Sequence, residues 1–118
     1  MSILNNIVGI GHISIGAFFL IAPYAAINML RLKPSADAAF LTRACGQRDL
    51  VIGSAIQYYQ RGSPENKLAT LACVAVHGLE VANGLVSYAQ GYVTSETLLG
   101  VVVADGVACA LSWWAFVS

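Results

Sequence analysis

The run ILNNIVGIGHISIGAFFLIAPYAAINML, from Ile3 to Leu30, contains no Asp, Glu, Lys or Arg. A membrane-crossing helix needs about 20 predominantly apolar residues, so this stretch is long enough to span a bilayer with room to tilt. It lacks the basic n-region and short apolar core of a cleavable signal peptide, and a retained helix is the expectation. Arg31, Lys33 and Pro34 close it.

Working outward, three more segments follow with their own punctuation. Ser35 suits an N-cap, with Asp37 in the first turn. That segment runs to Tyr59 and stops at Arg61-Gly62, a basic last turn followed by a glycine of the C′ type. Ser63-Pro64-Glu65 opens a third helix as cap, first-position proline and first-turn acid, and Gln90-Gly91 ends it. Thr94-Ser95-Glu96 repeats the opening signal. The expected helices are 3–30, 36–60, 64–89 and 96–117, joined by connections short enough to make sequential helices antiparallel neighbours. The expected fold class is all-α: an antiparallel four-helix transmembrane bundle, one domain over residues 1–118. Tyr24, Tyr88 and Tyr92 would then form one aromatic girdle, and Tyr58, Tyr59, Trp113 and Trp114 the other.

Composition supports a membrane setting. Hydrophobic residues make up 58% of the chain and charged residues 10%, where a soluble domain carries about 25% charged. Mean hydropathy is +0.70. Helices apolar on nearly all faces belong in lipid or in deep cores, which disfavours a soluble bundle, and the long apolar runs lack the period-two alternation of strands. Six basic residues balance six acidic ones, so no net field or basic stripe points to nucleic acid. Arg31 and Lys33 on one side tie with Arg61 and Lys67 on the other, leaving orientation unassigned by the positive-inside count. Cys45, Cys73 and Cys109 are odd in number and lie in apolar segments, as buried small hydrophobes rather than a disulfide framework.

The residues that carry chemistry are ionisable groups inside the helices: His12, Arg48, Asp49, His77, Glu80 and Asp105. Each charged one costs about 2.5–3.5 kcal/mol at a helix centre, so such groups turn inward and pair. At about 1.5 Å of rise per residue, the antiparallel order brings all of them to one layer near the midplane. His77 and Glu80 are three apart and share a face, with Asn83, Gly84 and Ser87 near the same stripe. His12 lies between Gly9 and Gly16, and Asp49 between Gly46 and Gly53 with the same offsets, which lets backbones approach around a polar group and hints at an internal repeat. A structural ion-pair network is the plain reading of Arg48 and Asp49. Three acids against one arginine favour more, because they cannot all ionise cheaply in one cavity, and a proton-sharing set is the equipment of general acid–base catalysis. The catalytic candidates are Asp49, Asp105, Glu80, Arg48 and His77. His12, Asn83 and Tyr58 are candidates for contacts to substrate. No metal site is expected from two histidines and scattered acids, and no cofactor.

The run Ala44-Cys45-Gly46-Gln47-Arg48-Asp49-Leu50-Val51-Ile52-Gly53 resembles the Gly-x-Arg-Asp-x-x-x-Gly signature of a family of small four-helix membrane proteins, whose glycine-rich first helix followed by proline is similar to Gly16 to Pro23. The resemblance covers most of the chain, with the Arg48-Asp49 region its specific part. Some fungal relatives are presumed hydrolases or cyclases acting on epoxides in polyketide or terpenoid pathways. The resemblance thus implies an epoxide hydrolase or cyclase, a lipophilic small-molecule substrate and, in a fungus, the endoplasmic reticulum membrane. By analogy with a soluble class of epoxide hydrolases, Asp49 is cast as base and Asp105 or Glu80 as acid. Arg48 would bias the proton between them, and His77 would tune Glu80. Partners beyond substrate and membrane lipids are not indicated, although four spans leave little room for a large pocket and so favour a homodimer. The rivals are a proton-coupled small-molecule transporter, which midplane carboxylates also suit, and a non-catalytic membrane assembly subunit.

Overall fold

A computed structural model of the chain describes residues 2–118, and every regular element among them is an α-helix. In chain order these are α1 (Ser2–Ile21), α2 (Pro23–Met29), α3 (Ala36–Tyr58), α4 (Pro64–Ala89) and α5 (Ser95–Val117). The helix starts follow the capping chemistry. Ser35, Ser63 and Thr94 each accept a hydrogen bond from the backbone N–H three residues on, at 3.0, 3.2 and 3.3 Å, which satisfies an otherwise orphaned donor of the first turn.

Two boundaries differ from expectation. The first helix is not continuous over 3–30. Pro23 has no N–H and its ring disfavours helical geometry in the residue before it, so Ala22 turns to φ −128°, ψ 60° and the chain restarts as α2. The second helix ends at Tyr58, because Tyr59 turns extended at ψ 141°. Arg61 and Gly62 therefore lie outside it, in a turn closed by Ser63 N–H donating to the Gln60 carbonyl at 3.0 Å. Gly62, at φ 80°, takes the left-handed position that a type II turn requires. At the end of α2, Leu32 and Arg31 donate back to Ile27 and Asn28 at 3.0 Å each. This wrap puts Arg31 at φ 55°, where glycine is usual; α4 closes the same way with Gly91.

The burial pattern inverts that of a soluble domain. Buried residues include Asn5, His12, Asp49, Asn66, Thr70, His77, Thr97 and Ser112, whereas Ile3, Phe40, Val51, Leu68, Leu79 and Leu99 face outward. The small apolar core, Val8, Ile56 and Cys73 with Ile52 and Leu111 against it, sits toward one end. Contiguous outward apolar surface of this kind needs a covering. Helices over Ile3–Ile21, Pro64–Ala89 and Ser95–Val117 are long and apolar enough to cross a membrane, which is compatible with a multi-pass membrane protein. Three, rather than the expected four, have that composition: α3 carries Asp37, Arg43, Arg48 and Asp49. All seven girdle aromatics are exposed.

α1 and α3 pack backbone to backbone in opposite directions. A Cβ placed on Gly16 would lie 2.6 Å from the Gly46 carbonyl oxygen; one on Gly46 would lie 2.7 Å from that of Gly16, and one on Gly53 2.7 Å from that of Gly9. α4 and α5 are also antiparallel, with Gly84 against Val101 and the Cys109 thiol donating to the Val74 carbonyl. Asn66 joins the two pairs near one end by donating to the Ile56 carbonyl at 2.9 Å. At the other end Thr97 donates to the Leu30 carbonyl at 3.0 Å, and an exposed Arg31–Glu96 pair sits beside it.

Candidate functional site

The glycines that bring α1 and α3 together also decide which polar groups are carried inside. His12 and Asp49 each lie midway between two contact glycines and are 6% and 3% exposed. On α4 the inward stripe is Asn66, Thr70, Cys73 and His77, buried at three- and four-residue spacing, then Gly84 two turns further on, with the half-buried Glu80 between them at its edge. Asp105 on α5 is half-buried opposite that stripe.

These side chains form one continuous network. The Arg48 guanidinium donates from Nε to Asp49 Oδ1 at 2.9 Å, with Nη2 2.8 Å from the same oxygen, and from Nη1 to Glu80 Oε1 at 2.5 Å. His77 Nδ1 lies 2.7 Å from Asp105 Oδ1 and 3.2 Å from Glu80 Oε2. Its other ring nitrogen, Nε2, is 2.6 Å from Nε2 of His12, whose Nδ1 donates to the Val8 carbonyl at 2.6 Å. Four helices thus contribute: α1 through His12, α3 through Arg48 and Asp49, α4 through His77 and Glu80, α5 through Asp105. The network has a deep side and an accessible one. Asp49 and His77 side chains are 4% and 8% exposed, while Arg48 and Glu80 keep 30% and 29%. A ligand would reach it from the Arg48–Glu80 side.

All five residues expected to do chemistry meet here, and His12 with them. Asn83 and Tyr58 do not. Asn83 is exposed, because six residues from His77 is a rotation of about 120° away from the buried stripe. Tyr58 is 84% exposed at the end of α3, packed edge-on against Tyr59 and away from the network. Sequence reasoning missed the buried Asn5, Asn66, Thr70 and Ser112, although the heptad-like spacing of Asn66, Thr70, Cys73 and His77 was a readable signal. Two cavities, of about 310 and 540 Å³, lie at opposite ends of the molecule, beside Arg61, Asn66 and Lys67 and beside Leu30, Arg31 and Glu96; neither is lined by a member of the network.

What the arrangement can do follows from its donors and acceptors. His77, Glu80 and Asp105 place one potential ligand atom each within 4.8 Å of one another, a nitrogen-and-carboxylate set that would accept a cation in principle. Glu80 already receives Arg48, however, and His77 faces Asp105 at hydrogen-bond distance, so the set reads as a proton-sharing one. A carboxylate oriented by a guanidinium, beside a histidine–carboxylate pair at hydrogen-bond distance, has the groups needed to take a proton at one place and give one at another. Compared with protein-family models, with curated proteins and with solved structures, the chain finds no match.

Proposed function

We propose that this protein is a multi-pass membrane enzyme that opens the epoxide of a lipophilic small molecule by carboxylate acid–base catalysis, as a member of the four-helix family whose signature it resembles. In this reading α1 with its continuation α2, then α3, α4 and α5, are four antiparallel spans. α3 crosses despite its charges because Arg48 and Asp49 are paired inside, while Arg43, about 10 Å from the helix start, snorkels toward the interface. The long dimension of 41 Å suits a bilayer about 40–45 Å thick with its headgroups.

The observation that carries the proposal is the Arg48 guanidinium held between Asp49 and Glu80, with the His77–Asp105 contact alongside. Asp49 takes a proton from water as the water oxygen bonds to an epoxide carbon. The carbon–oxygen bond of the ring breaks, its electron pair stays on oxygen, and that oxygen takes a proton from Asp105 or Glu80. The product is a vicinal diol. Asp49 now holds one proton more and the acid one fewer; transfer between them resets the site. Arg48 fixes the base and Glu80 relative to each other, and His77 positions the two candidate acids. Where the substrate's own hydroxyl replaces water, the same transfers give a cyclic ether.

Purified protein in detergent, incubated with lipophilic epoxides, is expected to form a diol or cyclic ether, and Asp49→Asn to form none. Proton-driven accumulation of a chemically unchanged solute in liposomes, without such conversion, would replace the enzyme by a transporter.

A further inference from the structure

Three contacts run in series from α1 to α5: the Val8 carbonyl with His12 Nδ1, His12 Nε2 with His77 Nε2, and His77 Nδ1 with Asp105 Oδ1, at 2.6, 2.6 and 2.7 Å. Each is a hydrogen bond and holds one proton between its two heavy atoms. Two neutral imidazoles supply one proton each, so they fill only two of the three. The third proton is additional. It is written as a carboxylic acid at Asp105 or as an imidazolium facing a carboxylate, and shifting it along the chain changes the name without changing the count.

The two ends of this chain differ. At the Val8 end the acceptor is a peptide carbonyl, which takes part in a hydrogen bond but neither receives nor releases a proton at ordinary pH. At the Asp105 end stand Glu80 and, beyond it, Arg48 on the accessible side. Glu80 is occupied as an acceptor, with Oε1 toward Arg48 Nη1 and Oε2 toward His77 Nδ1. Asp105, by contrast, has no arginine or lysine partner among the described residues; beside it stand His77 and the Glu80 carboxyl, which can share a proton with it but brings it no cation.

We infer that His12 and His77 form a dead-ended proton store whose outlet is Asp105, which makes Asp105 rather than Glu80 the acid of the site and His12 a positioning residue for it. This deepens the acid–base reading above and rests on it for the fate of the proton. His12 acts through His77: with Nδ1 committed to Val8, its Nε2 is the acceptor that keeps the proton of His77 on Nε2 and leaves Nδ1 for the shared proton with Asp105. In the step itself, the store gives its extra proton to the epoxide oxygen through Asp105 and regains it from Asp49 or water.

Nitrogen NMR of the full chain with labelled histidine, in lipid nanodiscs and without substrate, tests the store directly. The expected result is His12 protonated on Nδ1, a proton shared across the two Nε2 atoms with a measurable coupling through it, and loss of the shared His77–Asp105 proton in Asp105→Asn. For turnover, Asp105→Asn is expected to lose about a hundredfold, within the usual range for an acid–base group, and Glu80→Gln clearly less. His12→Phe should lose about tenfold, with His12→Gln, which offers an amide acceptor, recovering part of both turnover and the His77 signature. An empty Nε2–Nε2 contact in a protein that still opens epoxides overturns the store and leaves the enzyme. A filled contact in a protein inert to epoxides overturns the enzyme and keeps the store. Turnover more sensitive to Glu80→Gln than to Asp105→Asn overturns the outlet.

Discussion

Where α1 meets α3, Gly9, Gly16, Gly46 and Gly53 let carbonyl and backbone touch with no side chain between them. Where the same pair meets α4, side chains do the joining, Arg48 reaching Glu80 and His12 reaching His77. The first contact is fixed by shape and gains dispersion energy over a long seam. The second is fixed by charge and hydrogen bonding, and it keeps an accessible edge. Helices in lipid gain little from burying apolar surface against one another, so close packing at small residues and polar pairs are the two means available. This molecule assigns one to each contact. The close seam holds the deep members of the network in register, and the polar contact keeps the edge on which the proposed chemistry depends.

That division can be broken at several points. The largest effect on stability is expected from Arg48→Met, which leaves Asp49 and Glu80 without their partner. Removing one member of a buried pair costs about 3–5 kcal/mol, and the partial exposure of Arg48 places the loss near about 3 kcal/mol on that scale. Replacing Arg48, Asp49 and Glu80 together by Met and Leu should recover most of it, with activity gone, as measured by unfolding in mixed micelles. A single variant as stable as the wild type would mean that the polar contact does not hold the pairs together. Next is Gly46→Leu, whose Cβ would meet the Gly16 carbonyl oxygen; overpacking of this kind costs about 1–3 kcal/mol. Gly11→Ala and Gly78→Ala, whose Cβ atoms would meet nothing within 4 Å, are the matched controls and should gain up to about 1 kcal/mol from helix propensity. Equal losses at contact and control glycines would remove the distinction between the seams. Thr94→Ala should cost about 1 kcal/mol through loss of its cap. Glu96→Gln should change stability least, by less than about 1 kcal/mol, because both partners of the Arg31–Glu96 pair are exposed.

Much of this was legible in the chain. Caps at Ser35, Ser63 and Thr94 announced where helices begin, since serine and threonine before an apolar run have few other uses there. The ionisable layer was legible from depth alone, because antiparallel helices of similar length bring their middles together. The break at Pro23 was hidden by an apolar stretch that continues on both sides of it. Asn83 is one residue from the stripe in sequence but about 120° from His77 in rotation, and Gly84 holds the inward place instead. An ion pair at Arg48 and Asp49 was readable from two opposite charges inside one apolar helix, but that the same guanidinium also reaches Glu80 on α4 depends on how α3 and α4 pack, which spacing within one helix does not encode. The Val8 carbonyl that anchors His12 belongs to the backbone, and no residue type marks it.

The most direct measurement of the whole account is conversion of a lipophilic epoxide in heavy-oxygen water by the purified protein, with Asp49→Asn alongside. A diol carrying one heavy oxygen, or a cyclic ether carrying none, is expected from the wild type, and neither from Asp49→Asn. Conversion at the same rate by both proteins, or by neither across a range of lipophilic epoxides, would contradict it.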